Sequence, residues 1–260
     1  MKTFIISITM IFYCTNYDYA KKYQNDDGRT IKIPVVFHII SSSDQQVNNA
    51  VTYELILKEI EDLNKNFSAS NDMFKLHKDN KVPIGNPNVQ FYLADVIDDN
   101  NEKGVIRYIS NKKHQNHRTI NKAETLNICI GNFGSVTQMS SPKNHKVHIN
   151  YNNIGDGENT VTHELGHYFG LWHVWGKSNC KKIKLFSDKD DYISDTPKQK
   201  NCTDLSRKKP CPKELNKKNI NCNNFMDYSG CRVMFSKEQA EKIRNSIRKD
   251  RPKMYDNSAN

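Results

Sequence analysis

With 260 residues the chain can build one domain with a substantial core, or two small ones. Apolar residues make up 36% and charged residues 26%, a balance that suits a soluble protein. The net charge of +10 raises nucleic acid as a partner, but the lysines are scattered, with no arginine-rich stripe, zinc-finger spacing or RNA-binding aromatic motif, so the charge reads as a solvated basic surface.

Met1-Lys2 and the apolar run 3–13 read as the basic and hydrophobic parts of a secretory signal, too short to span a bilayer. Removal between Cys14 and Ala20 makes 1–20 a signal peptide and 21–28 a short polar leader. The bulky Phe12-Tyr13 argues against a lipid on Cys14. No other apolar run is long enough to cross a membrane, so the expected location is extracellular. Of seven cysteines, six remain after the signal, an even set that favours disulfides in an exported chain. No Cys-x-x-Cys pair exists, which argues against a cysteine-based zinc site.

Residues 31–40 read as a buried strand and 41–49 as a polar loop. Apolar residues at 51, 55, 56, 57, 60, 63 and 67 predict an amphipathic helix over 51–67. Segments 88–97, 104–109, 126–130 and 146–151 are further strand candidates, and 111–122 is a basic surface loop. A helix is predicted over 159–171. Between 176 and 224 the apolar periodicity fades, which predicts loops held by disulfides. Ser236 is placed to cap a last helix running to about 248.

The chemistry concentrates in His163-Glu164-Leu165-Gly166-His167, followed by Gly170 and His173. Histidines four apart lie about 40° from each other around a helix, so both can reach one ion. Glu164 sits about 100° round from His163, close enough to act as general base on a water without being a ligand. On a continued helix His173 would point about 240° away from His167, so the helix must stop. Gly170, tolerant of positive φ, is where it can turn and bring His173 back. Three histidines with an open fourth position make a catalytic zinc site rather than a closed structural one. His38 and His148 fall in strands and read as structural, and His114 and His117 lie in the basic loop.

Downstream lies Asn224-Phe225-Met226-Asp227-Tyr228-Ser229-Gly230-Cys231. With the zinc motif, it resembles the metzincin clan of zinc peptidases, whose second feature is a methionine turn beneath the metal. Segments 33–38 and 163–175, Asp195-Thr196-Pro197, and Met234-Phe235-Ser236 with Gln239 narrow the resemblance to the compact secreted branch of the pappalysin family. That resemblance implies an α+β fold, a two-part catalytic domain over 29–254. The upper part, about 29–173, would be a twisted mixed sheet with two helices above it. The lower part, about 174–254, would be irregular, disulfide-held and closed by the C-terminal helix.

The resemblance further implies zinc on His163, His167 and His173, Glu164 as general base, Met226 as apolar floor and Tyr228 as hydrogen-bond donor to the oxyanion. It implies the disulfides Cys180–Cys211 and Cys202–Cys231, leaving Cys129 and Cys222 as a third pair. The acidic stretch with Asp188, Asp190, Asp191, Asp195 and Thr196 stays open between a calcium loop and a solvated one. Two departures stand out. Only residues 21–28 separate the signal from the first strand, so latency through a propeptide is not carried over. Relatives place acidic residues before the last cysteine, on the wall of a substrate pocket, where this chain has Gly230 alone. Preference for basic residues is therefore not carried over, unless another carboxylate such as Asp227 fills that role. The expected activity is that of a secreted, monomeric zinc endopeptidase acting on proteins or peptides, with no nucleic acid or membrane partner. The alternative is an inactive binding module with the same fold.

Overall fold

The computed structural model describes residues 26–42, 45–71, 82–109, 119–133, 146–155, 157–176, 180, 190–199, 202–203 and 221–256. The expected signal, Cys14, Asp188, Cys211 and most of the 176–224 segment lie outside these residues.

The sheet is organised around β1 (Ile31–Ser41), whose side chains are buried on both faces except at Lys32 and Pro34. Such a near-continuous apolar strand is what a parallel sheet covered on both sides requires. The predicted polar loop after it contains a short helix, α1 (Gln46–Ala50), which buries only Val47 and therefore leaves no apolar period in the sequence. Thr52 caps α2 (Tyr53–Phe67) by accepting from Leu55 N at 3.3 Å. The predicted strand over 88–97 is shorter in the structure. After the two-residue β2 (Ile84–Gly85), β3 (Val89–Leu93) pairs with the first half of β1. The chain then folds back through an Ile97–Lys103 bridge, and β4 (Val105–Ile109) pairs with the second half of β1. On the other side of β1 lie β5 (Leu126–Gly131) and β6 (Lys146–Asn150). All these pairings are parallel; antiparallel pairing joins β2 to β7 (Phe235–Ser236).

Beyond β6 comes α3 (Thr160–Tyr168), buried along nearly its whole length. The last helices are α4 (Lys237–Asp250) and α5 (Pro252–Asp256). The predicted Ser236 cap is present, and Gln239 completes a reciprocal capping box. Both parts share one core. The Phe67 ring meets Phe91 of the sheet at 5.0 Å, Phe169 after α3 at 6.0 Å and Phe235 of the lower part at 5.2 Å. The end of the polar leader is also tied down: Arg244 donates to both Asp26 oxygens at 2.5 and 2.6 Å, and the Tyr255 hydroxyl to Asp26 and Asp27. Among the described residues no helix is long and apolar enough to cross a membrane.

Candidate metal centre

Two buried polar residues of α2 fix the helix that carries the motif. Asn66 Nδ2 donates to Asn159 Oδ1 and Thr162 Oγ1, both at 2.8 Å, and Glu59 accepts from Gly155 N at 2.9 Å. The helix ends at Tyr168, three residues before the predicted limit, and Gly170 takes φ +88°. There Gly170 N donates to His167 O and Leu171 N to Gly166 O, so the last turn closes as the chain reverses.

The reversal brings His163, His167 and His173 together, with their ligating nitrogens within 4.8 Å of one another. The orientation of two of them is set by carbonyls. His163 Nδ1 donates to Phe225 O at 2.6 Å, and His167 Nδ1 donates to Leu171 O at 2.9 Å. With the proton on Nδ1, each Nε2 keeps its lone pair for a ligand. His167 Nε2 and His173 Nε2 lie 3.0 Å apart, and His173 stacks on Trp175 at 4.4 Å. Burial holds all three imidazoles below their usual pKa, His167 at about 4, so they stand neutral. Three neutral imidazoles converging within reach of one point are a donor set that fits zinc with an open position.

Glu164 is buried, and desolvation pushes its carboxyl up to about 8 while Arg232 pulls it down. Met226 is fully buried beneath the helix, where a β-carbon on Gly166 would collide with its sulfur. Tyr228 is 47% exposed, with its ring 5.5 Å from that of His163 and 4.8 Å from that of His173. Burial raises its hydroxyl pKa, and the Glu164 carboxylate adds to that.

The methionine turn also holds the histidines through its backbone. Phe225 O takes His163, and Met226 O accepts from Val174 N at 3.3 Å. The turn is braced from below, since Asn224 donates to the capping-box residue Gln239 at 2.8 Å and accepts from Met226 N. Gly166, Phe225, Gln239, Asn66 and Arg232 were not legible as parts of the site. Spacing signals a ligand, but the carbonyl or charge that acts on a ligand arrives from a distant part of the chain.

The family of the chain follows from this arrangement together with sequence comparison. Residues 100–248 match the peptidase M43 family, described as pregnancy-associated plasma protein-A. The chain belongs to that family. It is a pappalysin-type metzincin, and its fold matches that of a mutant of Tannerella forsythia promirolysin with a TM-score of 0.70 at 23% identity, over 98% of this chain and 94% of that one. Mature mirolysin of Tannerella forsythia in complex with a cleaved peptide matches at TM-score 0.68 and 25% identity, over 88% and 97% of the two chains. An extracellular metalloprotease of Aspergillus fumigatus is 37% identical over 90 residues, a third of this chain but only 26% of that protein. One of Neurospora crassa is 26% identical over 77% of this chain and 68% of its own length.

Other expectations need correction. Cys180 is joined to Cys202, so neither Cys180–Cys211 nor Cys202–Cys231 forms. Cys222 and Cys231 are both disulfide-bonded. Cys129 is a buried free thiol, so the Cys129–Cys222 pair is absent as well. In β5 the cross-strand neighbours of Cys129 are His38 and His148, which places no thiol beside it. His38 is structural, as expected, between Tyr108 and Asn127. Among the described residues, which leave out Asp188, the histidine triad is the one group of three or more metal-ligating side chains. Asp190 pairs with Lys198, Asp191 accepts from Thr196 and Ile193 N, and Asp195 accepts from Glu238 N at the start of α4. Nor is Asp227 a pocket wall, since it has no exposed surface.

Proposed function

We propose that the chain is a secreted zinc endopeptidase that hydrolyses protein or peptide substrates. The observation that carries this reading is the convergence of three neutral imidazoles, two of which, His163 and His167, have their Nδ1 protons held by the Phe225 and Leu171 carbonyls. Zinc at that point would supply Lewis acidity, polarising the scissile carbonyl and making a water nucleophilic at neutral pH. The chain supplies the proton transfers. Glu164, one residue after His163, accepts a proton from the attacking water and passes it to the leaving amine. The Tyr228 hydroxyl, kept protonated, donates to the oxygen of the carbonyl under attack. The relatives named extracellular and the apolar run 3–13 support action outside the cell.

The test separates an enzyme from an inactive binding module. Glu164→Ala leaves the three ligands in place and should keep near-stoichiometric zinc while peptide cleavage falls about 100- to 10,000-fold. His167→Ala should instead lose the metal. An active Glu164→Ala variant would refute the mechanism. A wild-type protein that holds zinc and cuts nothing in a broad peptide library would favour the binding module.

A further inference from the structure

Asp227 stands between the floor of the site, Met226, and the proposed oxyanion donor, Tyr228, yet its carboxylate has no exposed surface. Four donors converge on it. Oδ1 accepts from the backbone N–H of Tyr228 at 2.7 Å and of Thr203 at 2.9 Å. Oδ2 accepts from Gln199 Nε2 at 3.2 Å and from the Thr203 hydroxyl. Gln199 reaches the methionine turn a second time, because its Oε1 accepts from Asn221 N at 3.1 Å and Asn221 O accepts from Asn224 N. Thr203 follows Cys202, which is bonded to Cys180, a few residues past His173 and Trp175. The carboxylate thus fastens the loop with Gln199 and Thr203 to the backbone of Tyr228. The Tyr228 ring, half exposed, otherwise leans on His163, His173 and Trp175.

We propose that Asp227 is a positioning residue that holds Tyr228 over the three histidines and acts on turnover through that tyrosine. This rests on the proposed role of Tyr228. A buried carboxylate gathering four donors fixes a backbone far more tightly than ring packing does, because each donor would lose a charge-assisted bond if it left. Asp227→Asn keeps the shape but replaces one acceptor oxygen with an NH2 that cannot receive Gln199 or Thr203.

Two measurements test this on the full-length protein. Hydrogen–deuterium exchange, on metal-free and zinc-loaded protein, should speed up about 10-fold or more at 225–229 in Asp227→Asn and stay unchanged at 161–168. Unchanged exchange at 225–229 overturns the proposal whether or not the protein cleaves peptides. In kinetics, Asp227→Asn should lower kcat about 10-fold with KM within about 3-fold, and Asp227→Asn/Tyr228→Phe should be no slower than Tyr228→Phe alone. Effects that multiply in the double variant, or a Tyr228→Phe variant as active as wild type, overturn the action through Tyr228. Should Asp227→Asn fail to fold, Thr203→Val, which removes one bond, should show the same pattern at smaller amplitude. Failure of the wild type to cut any peptide refutes the peptidase reading instead, and the exchange result then decides the clasp alone.

Discussion

Replacing Gly170 with alanine should unsettle the metal centre without touching a ligand. Gly170 has φ +88°, and a β-carbon there would meet only Ser246, at 3.6 Å or more, which is ordinary contact. The cost is therefore conformational, about 1–2 kcal/mol for an L-residue in the left-handed region. In a chain of this size that lowers Tm by about 2–8 °C. If the backbone relaxes instead, the Leu171 carbonyl leaves His167 Nδ1, and losing such a partner weakens metal binding about 10- to 100-fold. Thermal unfolding of the metal-free protein reads the first effect, and zinc competition with a chromophoric chelator reads the second. Gly170→Asn is the control, since asparagine tolerates this region better. Alanine with unchanged Tm and zinc affinity would show that the helix end is not pinned by this torsion. Asparagine as harmful as alanine would show a steric cause.

Three further outcomes follow from the same structure. Arg244 holds the Asp26 carboxyl down at about 2, so this pair contributes stability fully present above the unfolded value near 3.8 and lost as pH falls through about 2. Discounted for solvent screening, that is about 1 kcal/mol, and urea titrations from pH 5 to 2 should show a loss smaller by that amount in Arg244→Gln. Peptide mapping without reduction should recover Cys180–Cys202, a bridge across 22 residues that contributes roughly 3 kcal/mol in the chain-entropy model; free thiols at both positions would contradict it. Cleavage should not require Arg or Lys after the scissile bond, because Gly230 supplies no acidic wall, Asp227 is buried, and the charge of Arg232 acts on Glu164 and Tyr228. Sequencing the cut sites checks this, and strong enrichment of basic residues there would overturn it.

The sequence by itself determined that the three histidines meet, because a motif confined to one helix and its end is fixed by local geometry. Four-residue spacing puts His163 and His167 on one face, and a glycine passes through φ +88° without strain to return His173. The apolar strands, the amphipathic helix α2 and the Ser236 cap with the helix it opens were legible for the same reason, since their signals lie within a few residues. Tertiary structure alone decided what acts on those residues. That His163 is oriented by Phe225 and the helix anchored by Asn66 depends on contacts spanning 62 and 96 residues, for which spacing carries no signal. Cysteine pairing failed likewise: an even count shows that bridges form, but which thiols meet depends on where the fold brings the chain, and β5 brings Cys129 beside two histidines. The acidic loop shows the same division, since residue type fits calcium or solvent alike, while the partners of Asp190, Asp191 and Asp195 (Lys198, Thr196 and the first turn of α4) appear only in the fold.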